Sequence, residues 1–342
     1  MRRTVRLTFL VGFFNITVGI LTSCSTPNGT ESSGTSQKAF RVALLTPGPI
    51  SDQSWNGGAY EGLMQIRDSL GADVSHIQTR TPAEFDENFR QYGAAGYSLV
   101  FGHGYEFQDA AARVAPAFPK TVFITTGGTR TGPNVAAMSF AFEQPSYLAG
   151  IVAASVSKSG ILGCIGGTEL PPVKSGFASF VLGVHAINPR ATVVTAFIGN
   201  WDDAGAGKEQ ALAQIARGVD VIYQNADAAG LGIFQAAKDS KNVYIIGSNS
   251  DQNHVAPLVT LGSVMIDLPV AFMRVARDVQ RGTFAPRVIV LDTKSGVMKW
   301  VMNPVLLPVV PPRTLQVVDS IQRLMLAGTF LSLPSTRSPE DQ

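Results

Sequence analysis

Apolar and polar positions follow two alternating periods along this chain from about residue 40 onward. Residues 40–46 form a short apolar run that ends in Pro47-Gly48-Pro49, which is typical of a buried parallel strand. Residues 59–70 follow with apolar positions three to four residues apart, which predicts an amphipathic helix. Repetition of this pair predicts right-handed βαβ units around a parallel sheet.

The repeating pattern predicts two such sheets in tandem. Further strands are predicted at residues 74–78, 99–101, 121–125, 161–165, 192–198, 219–223 and 243–247. Further helices are predicted at residues 82–93, 107–117, 147–157, 177–187, 208–217 and 228–238. The second series begins after residue 140, so we predict an α/β fold with two doubly wound parallel-sheet lobes.

The segments after residue 252 predict a return of the chain to both lobes. Strand-like runs at residues 259–266, 287–292 and 297–303 alternate with helices at 269–280 and 315–326. We expect chain crossings near residues 142, 252 and 294, which would form a three-strand hinge. The first lobe is then residues 38–142 plus about 257–293, and the second is residues 143–256 plus about 294–338.

The first residues have the pattern of an export signal. Arg2, Arg3 and Arg6 precede an apolar run at residues 7–21, which is too short for a comfortable transmembrane helix. Leu21-Thr22-Ser23-Cys24 resembles a bacterial lipobox, so we expect a signal peptide over residues 1–24 and a lipid anchor on Cys24. The alternative is a simple signal peptide with an incidental cysteine. Residues 25–37 are rich in Ser, Thr, Gly, Pro and Asn, which predicts a flexible tether in the cell envelope.

Charge and composition exclude several classes of partner. The net charge is +2 with 15% charged residues, and the basic residues are scattered, so no nucleic-acid partner is expected. The four histidines lack zinc spacing, and the acidic runs at residues 202–203 and 249–252 lack EF-hand spacing, so we expect neither a metal nor a cofactor. Cys164 lies in an apolar run, which predicts a core thiol without a disulfide.

The chain also lacks the usual signatures of hydrolytic catalysis. It has no G-x-S-x-G elbow and no plausible cysteine nucleophile, and we therefore expect a protein that is not an enzyme. Chemistry on carboxylates alone, as in a nucleoside hydrolase, stays open from the residues.

Trp55 and Trp201 are the residues that most strongly indicate a binding site. Each ends a short polar run that follows a predicted strand. Ligands of open α/β sheets bind outside the carboxyl ends of the strands, and a flat apolar face among polar groups suits a planar ligand. We therefore predict that the two indoles clamp a ligand between the lobes. His103, in a strand-end glycine turn, either donates to that ligand or is a solvated loop histidine.

Short motifs along nearly all of the chain after the tether resemble the basic membrane protein family of substrate-binding lipoproteins, which includes purine nucleoside receptors of ABC importers. They are Ser51-Asp52-Gln53-Ser54-Trp55-Asn56, Ala59-Tyr60-Glu61-Gly62, Pro133-Asn134-Val135, Glu143-Gln144, Tyr147-Leu148-Ala149-Gly150, Gly166-Gly167, Trp201-Asp202-Asp203, Gly207-Lys208-Glu209, Gly230-Leu231-Gly232, Ser250-Asp251-Gln252 and Ala256-Pro257. Their shared order and spacing make the resemblance specific.

The resemblance implies a type I periplasmic-binding fold that encloses a small ligand and presents it to an ABC permease. It implies that Trp55 and Trp201 sandwich a base and that Asn56 hydrogen-bonds it. It also implies that glycines like Gly230 and Gly232, and the loop around Asp251, meet the sugar. The expected ligand-binding residues are Asp52, Trp55, Asn56, His103, Trp201, Gly230, Gly232, Asn249 and Asp251.

This sequence departs from the family at three places. Relatives usually carry an Asp near Thr126 and Gly127 and a Lys at the place of Ile266, and Asn249 stands where many have Asp. Purine specificity is therefore not secured, whereas stacking on aromatic rings does not depend on reading the base edge. The expected function is solute capture for an ABC importer. The alternatives are a ligand-sensing regulatory lipoprotein of the same fold and an enzyme acting on nucleosides.

Overall fold

Two six-stranded sheets frame the part of the chain that this computed structural model describes, residues 39–330. The expected signal peptide, lipidated Cys24 and tether lie outside the described residues, as do residues 331–338 of the expected second lobe. The strands are β1 (Arg41–Thr46), β2 (Asp73–Gln78), β3 (Leu99–Gly102), β4 (Val122–Thr126), β5 (Val135–Phe140), β6 (Ile161–Gly166), β7 (Thr192–Phe197), β8 (Val221–Asn225), β9 (Tyr244–Asn249), β10 (Thr260–Ile266), β11 (Val288–Leu291) and β12 (Met298–Met302).

Helices connect most of these strands. They are α1 (Trp55–Leu70), α2 (Pro82–Ala94), α3 (Gln108–Val114), α4 (Glu143–Val156), α5 (Pro171–Ile187), α6 (Ala204–Ile215), α7 (Asp227–Asp239), α8 (Leu268–Gln280) and α9 (Pro312–Ala327). Short 3₁₀ turns at Tyr105–Phe107 and Ala115–Ala117 flank α3, so the helix expected at residues 107–117 is shorter and interrupted. Pro116 explains the break, because proline has no N–H for a helical bond.

Strand order confirms two doubly wound lobes. The first sheet runs β11-β5-β4-β3-β1-β2, and all its pairs are parallel. The second runs β12-β10-β9-β8-β6-β7, and β12 is antiparallel to β10. In β1 the side chains alternate between two cores: Val42 and Leu44 pack on one face, and Ala43 and Leu45 on the other. A strand that is apolar on both faces needs helices on both sides, as the sequence pattern predicted.

The second chain crossing lies later than the sequence predicted. β10 pairs with β9, with Ser263 beside Gly247, so this strand belongs to the second lobe. The chain changes lobe after Ile266, where Asp267 caps α8 and α8 packs against α1. The expected crossing near 252 and lobe boundary near 257 were wrong. No helix separates β9 from β10, so the pattern carried no sign that the two strands are neighbours.

One strand of the first sheet was not predicted. Residues 135–140 form β5 between β4 and β11, but their sequence is Val-Ala-Ala-Met-Ser-Phe, in which small residues weaken the strand signal.

Several helices begin at an earlier residue than the spacing of their apolar residues predicted. Asp203 caps α6 by accepting from the Ala206 N–H at 2.9 Å, and Pro171 opens α5. Capping residues therefore set these helix starts.

The structure also bears on the environment of Cys164 and on the character of the helices. Cys164 is fully buried in β6, and burial raises the pKa of its thiol, which confirms its assignment to the core. Among the helices of the described residues, none combines the length and apolar character that crossing a bilayer demands.

Candidate ligand-binding site

A cavity lies between the two lobes at the carboxyl ends of their strands. It encloses about 480 Å³ of empty space, counting the part that is continuous with solvent. Its lining comes from both lobes and consists of Pro47, Trp55, Gly104, Tyr105, Glu106, Gly127, Phe142, Leu170, Pro172, Val173, Trp201, Asn225, Asp227 and Asn249. The position agrees with the rule that open α/β sheets bind ligands beyond their strand ends.

Trp55 forms the aromatic wall of the first lobe. It is the first residue of α1, and its indole stacks on the His103 ring with 4.0 Å between ring centroids and 22° between planes. The Phe140 ring meets it edge-on at 5.9 Å, and the indole Nε1 donates to the His103 carbonyl at 3.4 Å. Contacts behind and beside the ring hold it in place, so one face is left for the cavity.

His103 supports this wall and does not line the cavity. Its Nε2 bonds the Trp55 carbonyl at 3.0 Å, and because a carbonyl can only accept, Nε2 carries the proton. Its Nδ1 then accepts from the Thr126 hydroxyl at 3.0 Å. Burial lowers the pKa of His103 to about 3, so the ring is neutral. Neither the expected ligand donor nor the solvated loop histidine is correct, because α1 begins directly over this turn.

Trp201 forms the opposite wall from a loop after β7. A Cβ placed on Gly167 would lie 2.1 Å from the indole Cε3, so the ring rests directly on the glycine backbone. The Trp201 carbonyl accepts from the Ala229 N–H at 2.9 Å, and the Asn200 side chain accepts from two backbone N–H groups of the same loop. Both indoles expected from the sequence therefore line one cavity, from opposite lobes.

Asp227 and Asn249 form a polar cluster on the second-lobe wall. Both have left-handed backbone conformations, with φ of 48° and 67°. The Asn249 Nδ2 donates to Asp227 Oδ1 at 3.0 Å, to Asn225 Oδ1 at 3.3 Å and to Ser54 Oγ at 3.2 Å. Burial, followed by the charges of Asp52 and Glu106, raises the pKa of Asp227 well above its usual range.

Glu106, Asn225 and Asp227 line the cavity but were not predicted from the sequence. Burial raises the pKa of Glu106, whose carboxylate would lie 2.6 Å from a Cβ on Gly104, so that glycine lets the side chain fold against the turn. The predicted β8 ended at residue 223, two residues short, and this hid Asn225 and Asp227 from the rule that identified the tryptophans. Polar residues at the strand's true carboxyl end were the available signal.

Asp52 and Asn56 are buried at the start of α1 and do not line the cavity. The Asp52 carboxylate accepts from the backbone N–H groups of Ser54, Asn56 and Gly57 at 2.8 to 3.0 Å and from the Asn56 side chain at 2.8 Å. Burial raises the pKa of Asp52, while these bonds oppose the increase. These bonds fix the first turn that carries Trp55, while Asn56 Oδ1 is buried without a hydrogen-bond partner among the described residues, and the expected contact of both residues with the ligand stays a prediction.

Gly230, Gly232 and Asp251 also lie away from the cavity wall. A Cβ on Gly232 would lie 1.7 Å from the Ala204 carbonyl oxygen, and one on Gly230 would lie 2.4 Å from Gln224 Oε1. These glycines thus allow close packing around α7, and their expected contact with a sugar stays a prediction. Asp251 is exposed and accepts from the Asn253 N–H at 3.1 Å, so its loop does not present it to the cavity.

An interlobe clasp lies beside the cavity and consists of Gln53, Ser54, Ser248, Ser250 and Gln252. Ser250 Oγ and Gln252 Nε2 both donate to the Gln53 carbonyl, at 2.6 and 3.2 Å. Ser54 Oγ donates to the Ser248 carbonyl at 3.3 Å. Gln53 has a left-handed φ of 52°. The loop that precedes Trp55 is therefore bonded directly to the second lobe.

The sequence of this chain also matches a known protein family. The family model for PnrA-like ABC transporter substrate-binding proteins matches residues 39–311. The chain belongs to the Bmp family. This match confirms the resemblance found in the sequence motifs, and it makes this Bmp protein an ABC transporter substrate-binding protein.

Relatives of this Bmp protein span most of its length. The ABC transporter nucleoside-binding protein BmpA of Lactococcus lactis is 30% identical over 251 residues, which are 70% of this chain and 72% of that protein. A purine-binding protein of Brucella abortus is 29% identical over 266 residues, 77% of this chain and 75% of that one. A solute-binding protein of an ABC transporter from Aeropyrum pernix K1 has the same fold, with a TM-score of 0.80 at 20% identity, and the match covers 88% and 94% of the two chains.

The structure also places the three departures from the family pattern. Thr126 is fully buried against His103, and Gly127 lines the cavity with a φ of 81°. Ile266 is buried at the end of β10, away from the cavity wall. Asn249 alone of the three places a polar side chain on the wall. Apart from Asn249, the polar side chains on the cavity wall of this Bmp protein come from positions outside the expected ligand-binding residues.

Proposed function

We propose that this protein captures a nucleoside or a related planar heterocycle between its lobes and delivers it to an ABC permease for import. The observation that carries the proposal is that Trp55 and Trp201 line one cavity from opposite lobes. Aromatic stacking contributes roughly 1 to 3 kcal/mol per base, so two faces supply a large part of the roughly 8 kcal/mol of a micromolar complex. The names of the nucleoside-binding and purine-binding relatives support the same class of ligand.

The direct test is to identify the ligand. Protein purified from residue 38 onward is denatured, and the released small molecules are identified by mass spectrometry. Inosine, adenosine and guanosine are then titrated into ligand-free protein by calorimetry. We expect one-to-one binding without turnover; conversion of any of them to a free base would indicate an enzyme.

The aromatic clamp has its own test. The double variant Trp55→Ala/Trp201→Ala should lose at least about a hundredfold in affinity, because both stacking faces disappear. Trp300→Phe is the matched control, since Trp300 is the third tryptophan and lies buried in β12, away from the cavity. Circular dichroism should show all three proteins folded. Undiminished affinity in the double variant would exclude the clamp.

We also propose that Cys24 carries a lipid that anchors the protein to the bacterial membrane, facing the periplasm or the exterior. The support is the lipobox-like sequence before Cys24. Cys24→Ser should shift the protein from the membrane fraction to the soluble fraction, and intact mass spectrometry should show the loss of the acyl chains. A variant that stays in the membrane fraction with an uncleaved signal segment would argue for another mode of attachment.

A further inference from the structure

Within residues 39–330, the polar side chains on the cavity wall include acidic groups but no basic ones. They are those of Tyr105, Glu106, Asn225, Asp227 and Asn249. None of the described residues that line the cavity is Lys, Arg or His. The wall thus combines two carboxyl groups with no basic side chain, which leaves positive charge to be supplied by a ligand.

The side-chain oxygen of Asn249 is a hydrogen-bond acceptor without a donor in the described part of the chain. Its Nδ2 bonds Asp227, Asn225 and Ser54, and exchanging the amide O and N would set oxygen against two side-chain oxygens, so the orientation is fixed. Its Oδ1 is then buried without a partner, and the residue is 3% exposed. A buried acceptor without a donor is unfavourable, and a ligand N–H or O–H would satisfy it.

Glu106 and Asp227 approach the cavity from opposite lobes. Asp227 accepts from Asn249, and the Ser54 hydroxyl shares its one proton between Asp227 and the Ser248 carbonyl; both donors are neutral. The acidic residues that influence it, Asp52 and Glu106, act with the same sign and raise its pKa. No ion pair to either cavity carboxyl group is formed within residues 39–330. Two acids brought together without a counterion favour a cation between them.

The two indoles reinforce this preference. The face of an indole ring carries negative potential, so a cation over it is attracted electrostatically. Trp55 and Trp201 face the same cavity that Glu106 and Asp227 line. A flat ring with delocalised positive charge in this cavity would therefore lie among two indole rings and two carboxyl groups.

We propose that this cavity selects cationic heteroaromatic nucleosides over neutral ones, through the two indole faces, the carboxyl groups of Glu106 and Asp227, and the unpartnered Asn249 Oδ1. The proposal rests on the proposed function, since it specifies the charge of the nucleoside-like ligand. In this view Glu106 and Asp227 determine specificity, and Asn249 receives a hydrogen bond from the guest.

Two methylated adenosines of the same size but different charge test whether the charge of the ligand determines its affinity. 1-Methyladenosine is a cation at slightly acidic to neutral pH, whereas N6-methyladenosine has the same atoms apart from one proton and is neutral. Both are titrated into the ligand-free protein by calorimetry, together with adenosine, inosine and guanosine. We expect the cationic isomer to bind at least about tenfold more tightly than the neutral one.

Variants assign the preference to named side chains. Glu106→Gln and Asp227→Asn keep the shape and remove the charge, and asparagine tolerates the left-handed φ at position 227. The double variant should reduce the ratio of the two affinities to near one while it still binds the neutral isomer. Glu61→Gln is the matched control, since it removes one negative charge from the exposed face of α1 and should leave the ratio unchanged.

The outcomes distinguish this proposal from the proposed function. Equal or tighter binding of the neutral isomer by the wild-type protein would overturn the charge preference and leave nucleoside capture standing. A ratio that persists in the double variant would overturn the assignment to the two carboxyl groups. Binding of none of the nucleosides would overturn both proposals.

Discussion

The two aromatic walls of the cavity are held by different means. Trp55 has His103 stacked behind it at 4.0 Å, a hydrogen bond at Nε1, and a helix start fixed by the Asp52 carboxylate. Trp201 lies in a loop and rests on the backbone of Gly167. The first wall is a layered, hydrogen-bonded support, and the second is a ring laid on a glycine.

This difference teaches how each wall can fail. The first depends on a chain of partners, because Thr126 holds His103 and His103 holds Trp55. The second depends on the absence of one methyl group, because any Cβ at position 167 would overlap the ring. Substitutions at one wall should therefore act through hydrogen bonding, and those at the other through simple volume.

The largest effect is expected for Trp55→Ala. Loss of its stacking face should weaken nucleoside binding by roughly 2 to 3 kcal/mol, at the upper end of base–aromatic stacking, because the supporting His103 face is exposed as well. Trp55→Phe should recover part of the loss. Calorimetric titration with the nucleoside that binds wild type measures both. Equal affinities for wild type and Trp55→Ala would show that the first wall does not touch the ligand.

Gly167→Ala should weaken binding by about tenfold, because the added methyl must displace the Trp201 ring. Gly132→Ala is the control, since a Cβ there meets Val135 at an ordinary 3.6 Å. Tryptophan fluorescence would report the displaced ring alongside the affinity. If Gly167→Ala bound ligand normally, the second wall would be more adaptable than its contact with the glycine indicates.

His103→Gln should make stability less sensitive to acid. The pKa of His103 is about 3 in the folded protein and 6.5 without perturbation, so below about pH 6.5 the unfolded chain takes up a proton that the folded chain refuses. Each pH unit lower then costs wild type up to about 1.4 kcal/mol in unfolding free energy at this residue. Urea unfolding of both proteins between pH 6.5 and pH 4.5 measures the difference.

The acidic groups with raised pKa act in the opposite direction but are present in both proteins, so they cancel in this comparison. His185→Gln is the control, because His185 is exposed on α5 and no cavity residue depends on it. Parallel stability curves for wild type and His103→Gln would contradict the neutral, buried state of the ring.

The smallest effect is expected for Ser250→Ala in the interlobe clasp. Loss of its 2.6 Å bond to the Gln53 carbonyl should cost about 1 kcal/mol or less of lobe closure, which means up to about fivefold weaker binding through a faster off-rate. Ser159→Ala is the control, since its hydroxyl bonds the Ile161 carbonyl within a single lobe. Stopped-flow release of ligand would detect the change. An unaltered off-rate would show that the clasp does not restrain opening.

Much of the fold could be predicted from residue patterns, and the errors have physical causes. Buried strands such as β1 and β6 were recognised because strands covered on both faces are continuously apolar. β5 was missed because alanines and a serine dilute that pattern. β10 was assigned to the wrong lobe because its pairing with β9 is a tertiary contact. Such a contact does not change the pattern of apolar and polar residues along the chain.

The candidate site was predicted in part for a similar reason. Trp55, Trp201 and Asn249 were expected, and all three line the cavity. Asn56 directly follows Trp55 in α1, yet its side chain bonds Asp52 at the helix start and is buried. Proximity in sequence to a cavity residue does not determine direction, because successive residues of a helix point about 100° apart.

The amino-acid sequence by itself determined the α/β alternation, the two-lobed class and the placement of two indoles at strand ends, because burial and periodicity are local properties of the chain. The tertiary structure alone decided which lobe β10 joins, that His103 lies behind Trp55, and that Glu106 and Asp227 meet at one cavity. These facts depend on side chains from separate strand ends that converge only when two sheets pack together, and no local pattern encodes that convergence.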